Sequence, residues 1–208
     1  CDLTNELLIK ESSKYDLPLI ISTGMSSETE LIEANNWLNE KNINVCFLHC
    51  NSTYPTPIED NNLNYINRMK LITKSIIGFS SHNGDQIIPI AAASLGAKII
   101  ELHITSDKEA IGTDHSSSLK INELKSFVEN IKKVSLSLGN QNPRIPSQGE
   151  LINKIALGKS LCYKHDLKKG DLINAEIDLV GASPGDGIEV KNYKIFEKKV
   201  LKKNVSKL

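Results

Sequence analysis

The sequence predicts an α/β fold of repeated βα units with a parallel sheet, followed by a small β-rich second domain. Four apolar runs rich in β-branched residues begin at residues 18, 45, 75 and 98, and amphipathic helix patterns fill the gaps between them. Beyond a proline-containing segment near residue 143, turn signals become frequent. A chain of 208 residues that is 39% hydrophobic can bury one sizeable core and a second small one.

Each of the four apolar runs is predicted to be a buried strand of the parallel sheet. Their apolar character is continuous rather than alternating, which is typical of parallel strands that are covered on both faces. The predicted strands cover residues 18–23, 45–50, 75–80 and 98–104.

The helix patterns include capping signals as well as apolar faces. Ser27 and Glu30 form a capping-box pattern, and an apolar face begins at Leu31, so a helix is predicted to start after Ser27. Apolar residues recur at helical spacing over residues 124–138, and Gly139 follows at the position of a left-handed cap. This last helix is predicted to close the βα region.

A linker is predicted over residues 140–147, which combine two prolines with polar residues and show no periodicity. We therefore expect a first domain over residues 1–142 and a second over residues 143–208. Short strands of the second domain are predicted at residues 159–163, 172–177 and 188–190.

Composition excludes several classes of protein. Lys+Arg and Asp+Glu both number 25, and Arg68 and Arg144 are the only arginines, which argues against nucleic acid as a partner. No apolar run reaches the length of a transmembrane helix, so we expect no membrane partner and a location in the cytoplasm. The four cysteines lack C-x-x-C spacing and are predicted to be free thiols, mostly buried. Because the chain opens with Cys1 rather than methionine, we expect a piece of a longer protein.

Polar residues follow the predicted strands, and two of them are histidines on successive strands. In parallel βα folds, ligands gather at the carboxyl ends of the strands. Neighbouring strands lie about 4.8 Å apart, so His82 and His103 could both reach one metal ion. Two imidazoles suit a catalytic metal with open positions, whereas ordinary hydrogen-bonded structural histidines are the alternative.

Hydroxyl and carboxylate side chains near the same strand ends suggest ligand contacts. Ser22, Ser52 and Ser80 are expected at equivalent positions on three strands, where they could bind an anionic group, although ordinary loop serines are the alternative. Asp107 and Asp114 lie in a loop where they could bind sugar hydroxyls or assist proton transfer, or simply form turns.

Taken together, these motifs resemble those of the sialic acid synthase family, whose members condense phosphoenolpyruvate with an N-acetylated hexosamine. The most specific elements are HC-x-S-x-Y-P-T-P and E-x-H-x-T followed by G-x-D-H. The resemblance spans nearly the whole chain and rests on PLIISTGM (residues 18–25), HCNSTYPTP (49–57), GFSSH (78–82), ELHITSDKEAIGTDHSSSL (101–119) and residues 168–187.

The resemblance implies a (β/α)8 TIM barrel of which this chain supplies the second half, followed by an antifreeze-like (SAF) domain. It implies a homodimer in which that small domain packs over the partner's active site. The metal implied at His82 and His103 is manganese. The lysines that hold phosphoenolpyruvate in relatives would lie upstream of Cys1. The resemblance further implies phosphoenolpyruvate contacts at Ser22, Ser52 and Ser80, and catalytic amino-sugar contacts at Asp2, Tyr54 and Asp114.

The implied reaction is that of a transferase that forms a carbon–carbon bond, joining phosphoenolpyruvate and N-acetylmannosamine to give N-acetylneuraminate and phosphate. Three departures from the family pattern weaken the assignment of this activity to the chain: Ser81 replaces a common Asp, Leu102 replaces a basic residue, and Ser183 stands where several relatives carry an arginine. The alternatives are a synthase for legionaminic or pseudaminic acid, or an inactive truncated chain that only binds carbohydrate or dimerises. A metal-dependent hydrolase has little support, because no carboxylate-rich cluster accompanies the histidines.

Overall fold

A computed structural model describes residues 2–15 and 17–208, and the chain divides into two compact units, Cys1–Asn140 and Gln141–Leu208. The predicted boundary after residue 142 lies close to this division. The first unit contains the helices α1 (Glu6–Ser12), α2 (Glu28–Glu40), α3 (Tyr65–Thr73), α4 (Ile87–Ser94) and α5 (Leu124–Ser137) and the strands β1 (Leu19–Ser22), β2 (Val45–Cys50), β3 (Ile76–Ser81), β4 (Ile100–Leu102), β5 (Ile104–Thr105) and β6 (Leu119–Lys120).

Strands β1 to β4 form one parallel sheet in the order β1-β2-β3-β4, which confirms the predicted βα repeat. The fourth predicted run is not one strand, however. It breaks at His103, so that β4 ends at Leu102 and β5 pairs with β6 in a separate two-stranded sheet. At the break, His103 O accepts a hydrogen bond from Leu119 N at 2.8 Å, and from this point the chain pairs with β6 instead of β3.

The two faces of the four-stranded sheet differ sharply, and we call them the helix face and the open face. On the helix face, Phe47, Ile77 and Phe79 pack against α2, α3 and α4 in one core, where each fully buried aromatic contributes about 1.5–3 kcal/mol. On the open face, Ile20 and Ile76 are 56% and 57% exposed.

The prediction that all four strands are buried on both faces is therefore wrong at β1, at β4 and at the start of β3. In the described residues, no layer of helices covers the open face at these positions, because the helices that follow the strands all pack on the helix face.

The predicted helix caps of the first unit are present. Ser27 caps α2, and Ser27 and Glu30 make both hydrogen bonds of the capping box. Leu31 is buried in the core, as the apolar pattern predicts. Helix α5 ends before Gly139, whose φ of +61° is the left-handed conformation expected of a cap.

The second unit is less β-rich than predicted. It contains α6 (Gln148–Leu157), β7 (Ser160–Tyr163), α7 (Ala175–Asp178) and β8 (Leu179–Ala182), with β7 and β8 antiparallel. The predicted strand at 159–163 is confirmed. Residues 172–177 instead form a single bridge at Leu172 followed by α7, and residues 188–190 form a bridge at Glu189 followed by a 3-10 turn.

Helix α6 was not expected from the sequence, and it begins at a second capping box formed by Ser147 and Glu150. Among the described residues, no helix has the length and apolar character needed to cross a membrane. The described cysteines are free thiols, and only Cys46 is fully buried, while Cys50 and Cys162 are half-buried. Cys1 lies outside the described residues.

Candidate active site at the strand ends

The register of the sheet places a ladder of polar side chains on the open face. Cys50, Ser80 and Glu101 are paired across β2, β3 and β4, so their side chains lie side by side on that face. Two residues further along each strand come Ser52, His82 and His103. The carboxyl end of the open face is therefore the polar end, and its amino end, at Ile20 and Ile76, is apolar.

His82 is held in one orientation by a backbone hydrogen bond. Its Nδ1 lies 2.7 Å from Asn51 O, and because a carbonyl oxygen only accepts, Nδ1 carries the proton. The neutral ring then leaves a lone pair on Nε2, which lies 3.4 Å from Ser80 Oγ. Ser80 donates its single proton to Glu101 Oε1 at 2.7 Å, so the lone pair of His82 Nε2 remains available to a ligand.

His103, His82 and Tyr54 form an aromatic cluster at the mouth of the open face. The ring centroids of His82 and His103 lie 5.3 Å apart at 70°, and the Tyr54 ring lies 4.2 Å from His82 and 5.9 Å from His103. Asp114 completes the group, because its Oδ2 lies 3.7 Å from His103 Nδ1. The structure therefore brings together four of the predicted site residues.

The local charge at this cluster is negative. Burial raises the pKa of Tyr54, and the charges on Cys50, Asp114 and Glu101 raise it further, whereas a hydrogen bond with Ser52 acts in the opposite direction. The neutral phenol is thus favoured in a site that already holds carboxylates. Such a site is suited to a cation or to the hydroxyl groups of a sugar.

The donor set fits a metal with open coordination positions, although not a closed metal site. Within residues 2–15 and 17–208, no group of three or more His, Cys, Asp or Glu side chains could hold a metal ion. His82 offers an unprotonated Nε2, and His103 lies beside it. An ion bound by these two imidazoles would take its other ligands from water or substrate.

The three predicted phosphoenolpyruvate contacts do not stand at equivalent positions, and that part of the prediction is wrong. Ser22 pairs with Leu48, Ser80 pairs with Cys50, and Ser52 lies two residues beyond β2. The hydroxyls therefore occupy three successive levels of the open face rather than a ring.

Two of the predicted residues lie at the edge of the sheet. Asp2 accepts a hydrogen bond from Asn5 Nδ2 at 2.9 Å and lines a cavity of about 270 Å³ together with Ser22. A separate cavity of about 690 Å³ lies at the amino ends of β1 and β2, lined by Trp37 and Lys41 among others, and it does not include the strand-end residues.

Gly24 determines how closely the first strand end can approach Ser52. A Cβ atom at Gly24 would lie 2.1 Å from Ser52 Oγ and 3.1 Å from Cys50 Sγ. The first contact is too short for a real side chain and the second is tight, so a glycine is required if Ser52 is to keep its place.

Two of the three departures from the family pattern lie on the opposite face of the sheet from this cluster. Ser81 and Leu102 pair with each other on the helix face, and Ser81 Oγ is one of the buried polar atoms without a hydrogen-bond partner among the described residues. Ser183 belongs to the second unit, where its Oγ accepts a hydrogen bond from Lys159 Nζ at 2.7 Å.

Three residues of the site were not singled out from the sequence. Glu101 accepts from Ser80, the Cys50 thiol lies between Ser52 and Ser80, and Asn51 O fixes the ring of His82. Strand alternation could have identified Glu101, because it lies two residues before His103 and therefore on the same face. The backbone contact from Asn51 has no sequence signal.

Comparison with known proteins adds independent findings. A model described as the NeuB family matches residues 1–143. The chain is 35% identical over 206 aligned residues to N,N'-diacetyllegionaminic acid synthase of Campylobacter jejuni, covering 98% of this chain and 61% of that protein. It is 31% identical to pseudaminic acid synthase of the same species, covering 98% of this chain and 59% of that protein. The chain thus spans about three fifths of the length of these curated relatives.

A solved structure shares the fold. The N-acetylneuraminic acid (sialic acid) synthetase of Leptospira borgpetersenii, crystallised with citrate, matches with a TM-score of 0.68 and 31% identity over 74% of this chain and 53% of that one. This likeness supports the expected α/β fold with a curled parallel sheet that forms a half-barrel.

Proposed function

The chain belongs to the NeuB family, and from that premise we propose that it carries the metal- and sugar-binding part of a synthase that condenses phosphoenolpyruvate with an N-acetylated hexosamine. The observation that carries this proposal is the cluster of His82, His103, Tyr54 and Asp114 at the polar end of the open face. The relatives described above are synthases of N,N'-diacetyllegionaminic, pseudaminic and N-acetylneuraminic acid, which agrees with such a site.

The proposed cofactor is a divalent ion, manganese, held by His82 and His103. When bound, it would supply Lewis-acid polarisation of the sugar aldehyde. The contribution of the chain itself is to hold the two rings in place. The hydrogen bond to Asn51 O and the contact with the Tyr54 ring keep His82 in one tautomer and one orientation.

The other side chains orient the two substrates. Tyr54 and Asp114 are proposed to bind the amino sugar, since a phenol and a carboxylate can hydrogen-bond sugar hydroxyls. Ser22 and Ser52 are proposed to donate hydrogen bonds to phosphoenolpyruvate along the open face. Ser80 is proposed to contact it by exchanging its hydrogen bond to Glu101 for one to the substrate. Asp2, which lines a cavity with Ser22, is proposed to contact the sugar from the side of β1.

The proposed reaction forms one carbon–carbon bond and breaks one carbon–oxygen bond. C3 of phosphoenolpyruvate attacks the aldehyde carbon of the sugar, and the aldehyde oxygen takes up a proton to become a hydroxyl. Water adds to C2 and loses a proton, and the tetrahedral intermediate then releases phosphate by cleavage of the C2–O bond. Binding both substrates on one rigid sheet lowers the entropic cost of this encounter.

The proposed sugar is N-acetylmannosamine, and the runner-up sugars are those that lead to legionaminic or pseudaminic acid. Relatives from these branches are similar to the chain at 31–35% identity, which does not favour one sugar strongly. The resemblance leads us to expect an arginine at the position of Ser183, so this position does not identify the sugar. A comparison of hexosamines in the assay below decides between the candidates.

The first experiment tests the metal. We predict that the purified chain binds Mn²⁺ and that the His82→Ala, His103→Ala double variant lowers the affinity at least tenfold, as measured by electron paramagnetic resonance of free Mn²⁺. The control is His165→Gln, which removes a histidine of the second unit that pairs with Asp178. Equal affinity in the wild type and the double variant would contradict the proposed metal site.

The second experiment measures phosphate release from phosphoenolpyruvate with Mn²⁺ and each candidate sugar. It compares the 208-residue chain with the full product of its gene. We propose that only the latter turns over, because the site residues named above offer hydroxyls and carboxylates, but no ammonium group, to a trianionic substrate. Release by neither protein with any of the sugars would overturn the proposed function.

The assignment of the second unit to the antifreeze-like domains and the homodimer belong to the same proposal. In that arrangement, Ser183 and Lys159 of one protomer would face the sugar site of its partner. Sedimentation analysis of the full gene product is expected to give a dimer.

A further inference from the structure

Asp114 has an unusual backbone conformation that requires support from its neighbours. Its φ of 68° lies in the left-handed region, which is uncommon for residues other than glycine and persists only where the surroundings hold it. Two hydrogen bonds to its carbonyl help to do so, because Ser118 Oγ donates at 2.6 Å and Ser117 N donates at 3.1 Å. The conformation of the loop therefore determines where the Asp114 carboxylate points.

A second contact fixes the same loop from the side of the sheet. His115 Nδ1 lies 2.8 Å from Thr105 Oγ1, and Thr105 is only 6% exposed. The Thr105 hydroxyl lies 2.9 Å from Asp107 O, an acceptor, and therefore gives its single proton to that carbonyl. His115 must then donate to Thr105, which fixes its tautomer and its ring orientation.

Thr105 is a firm anchor for this contact. It lies in β5, which pairs with β6 through Ile104–Leu119 and Thr105–Lys120, and it follows His103 by two residues. The ring of His115 packs over Gly112, where a Cβ atom would lie 3.1 Å from His115 Nε2. The loop is thus pinned at Thr105 immediately beside Asp114.

We propose that Thr105 and His115 are positioning residues that hold Asp114 in the orientation in which it binds the amino sugar beside His103. This inference rests on the proposed function. Neither side chain belongs to the hydrophobic core of the first unit, so loss of their hydrogen bond moves the loop without unfolding the sheet.

The test separates the two substrates. In the full gene product, Thr105→Val removes the hydroxyl at nearly constant shape, and we expect the KM for the amino sugar to rise at least tenfold while the KM for phosphoenolpyruvate changes less than twofold. Thr105→Ser keeps the hydroxyl and should stay within twofold of the wild type for both. The pair His115→Leu and His115→Asn is expected to behave in the same way, because Asn retains a donor near the position of Nδ1.

A second readout needs no substrate. The amide of Ser117, which donates to Asp114 O, should exchange its hydrogen at least tenfold faster in Thr105→Val and at the wild-type rate in Thr105→Ser. Thr73→Val is the matched control, since it removes another buried threonine hydroxyl, one that donates to Met69 O within α3. It should leave Ser117 exchange and both KM values unchanged.

The outcomes distinguish the two proposals. If the wild-type enzyme is inactive with every sugar, the proposed function is overturned. If hydrogen exchange at the Ser117 amide is nevertheless faster in Thr105→Val, the contact between Thr105 and the loop is still supported. If the wild type is active, three results would overturn the positioning role. Thr105→Val could leave the KM for the sugar unchanged, it could raise both KM values equally, or Thr105→Ser could have the same effect as Thr105→Val.

Discussion

Adjacent residues on one strand of this sheet have opposite roles, and β2 shows this most clearly. His49 and Cys50 are neighbours, yet Cys50 lies on the open face beside Ser80, whereas His49 is buried on the helix face. His49 Nε2 donates to Asn61 O at 2.7 Å, and the imidazole contacts the rings of Tyr65 and Phe79. His49 is thus a structural histidine, although it stands in the same motif as the site residues.

The surroundings of His49 predict a pH dependence of stability. Burial lowers the pKa of His49 below its ordinary value of 6.5, against hydrogen bonds to the carbonyls of Asn61 and Asn62 that raise it. Below pH 6.5, His49 therefore takes up a proton more readily in the unfolded chain than in the native chain. Stability is therefore present above about pH 6.5 and falls as the pH decreases below it.

The measurement is the free energy of unfolding in urea at pH 7.5 and 5.5. We expect the wild type to lose more stability between these two values than His49→Gln, whose amide can still donate to Asn61 O but does not titrate. His115→Gln, which changes a half-buried histidine of the loop, serves as the control. The same pH dependence in wild type and His49→Gln would contradict the assignment.

At the scale of elements, local signals predict the strands and the first capping box, while contacts between elements escape prediction. The first three apolar runs correspond to β1, β2 and β3, and the fourth contains β4 and β5, because continuous β-branched character suits parallel strands. The polar strand ends likewise indicated where His82, His103, Tyr54 and Asp114 come together. The difference in level between Ser22 and Ser80 depends on the register between β1, β2 and β3, which no single run encodes.

The Ser–Glu capping boxes at the starts of α2 and α6 illustrate the same limit. Ser27–Glu30 was recognised because a clear apolar face follows it. Ser147–Glu150 has the same spacing and the same two hydrogen bonds, but it follows Pro143 and Pro146, and the prolines suggested a linker that extends to Ser147. The segment does end in a helix, since proline is tolerated ahead of a helix and does not prevent one from starting.

The capping box of α2 leads to an element-scale prediction. Ser27→Ala removes the hydroxyl that accepts from Glu30 N and leaves that amide without its cap, so we expect the free energy of unfolding to fall by about 1 kcal/mol. Ser26→Ala, at the preceding position, should change it by less than about 0.5 kcal/mol. Urea denaturation of the two variants beside the wild type is the measurement, and equal costs at both positions would argue against the cap.

At the scale of the whole first unit, the sheet separates the residues of the hydrophobic core from the polar residues of the candidate site. The helix face holds the aromatic and aliphatic core, whereas the open face holds the polar ladder that ends at His82 and His103. A substitution can therefore change one property with little effect on the other. The amino end of the open face, lined by Ile20, Cys46 and Ile76 around an open cavity of about 540 Å³, belongs to neither group.

The last prediction compares two neighbouring isoleucines whose side chains lie on opposite faces of the sheet. Ile77 is 1% exposed on the helix face and Ile76 is 57% exposed on the open face, and both belong to β3. Threonine keeps the β-branched shape but exchanges apolar surface for a hydroxyl. In the 208-residue chain, Ile77→Thr should lower the free energy of unfolding by about 2–4 kcal/mol, because it buries an extra polar group and leaves a small cavity. Ile76→Thr should cost less than about 1 kcal/mol, since its side chain is already largely in water.

Denaturation by urea, followed by circular dichroism at several protein concentrations, measures both costs. A loss at Ile76 as large as that at Ile77 would show that the open face is covered in solution, and if that loss grows with protein concentration, the cover is a second copy of the chain.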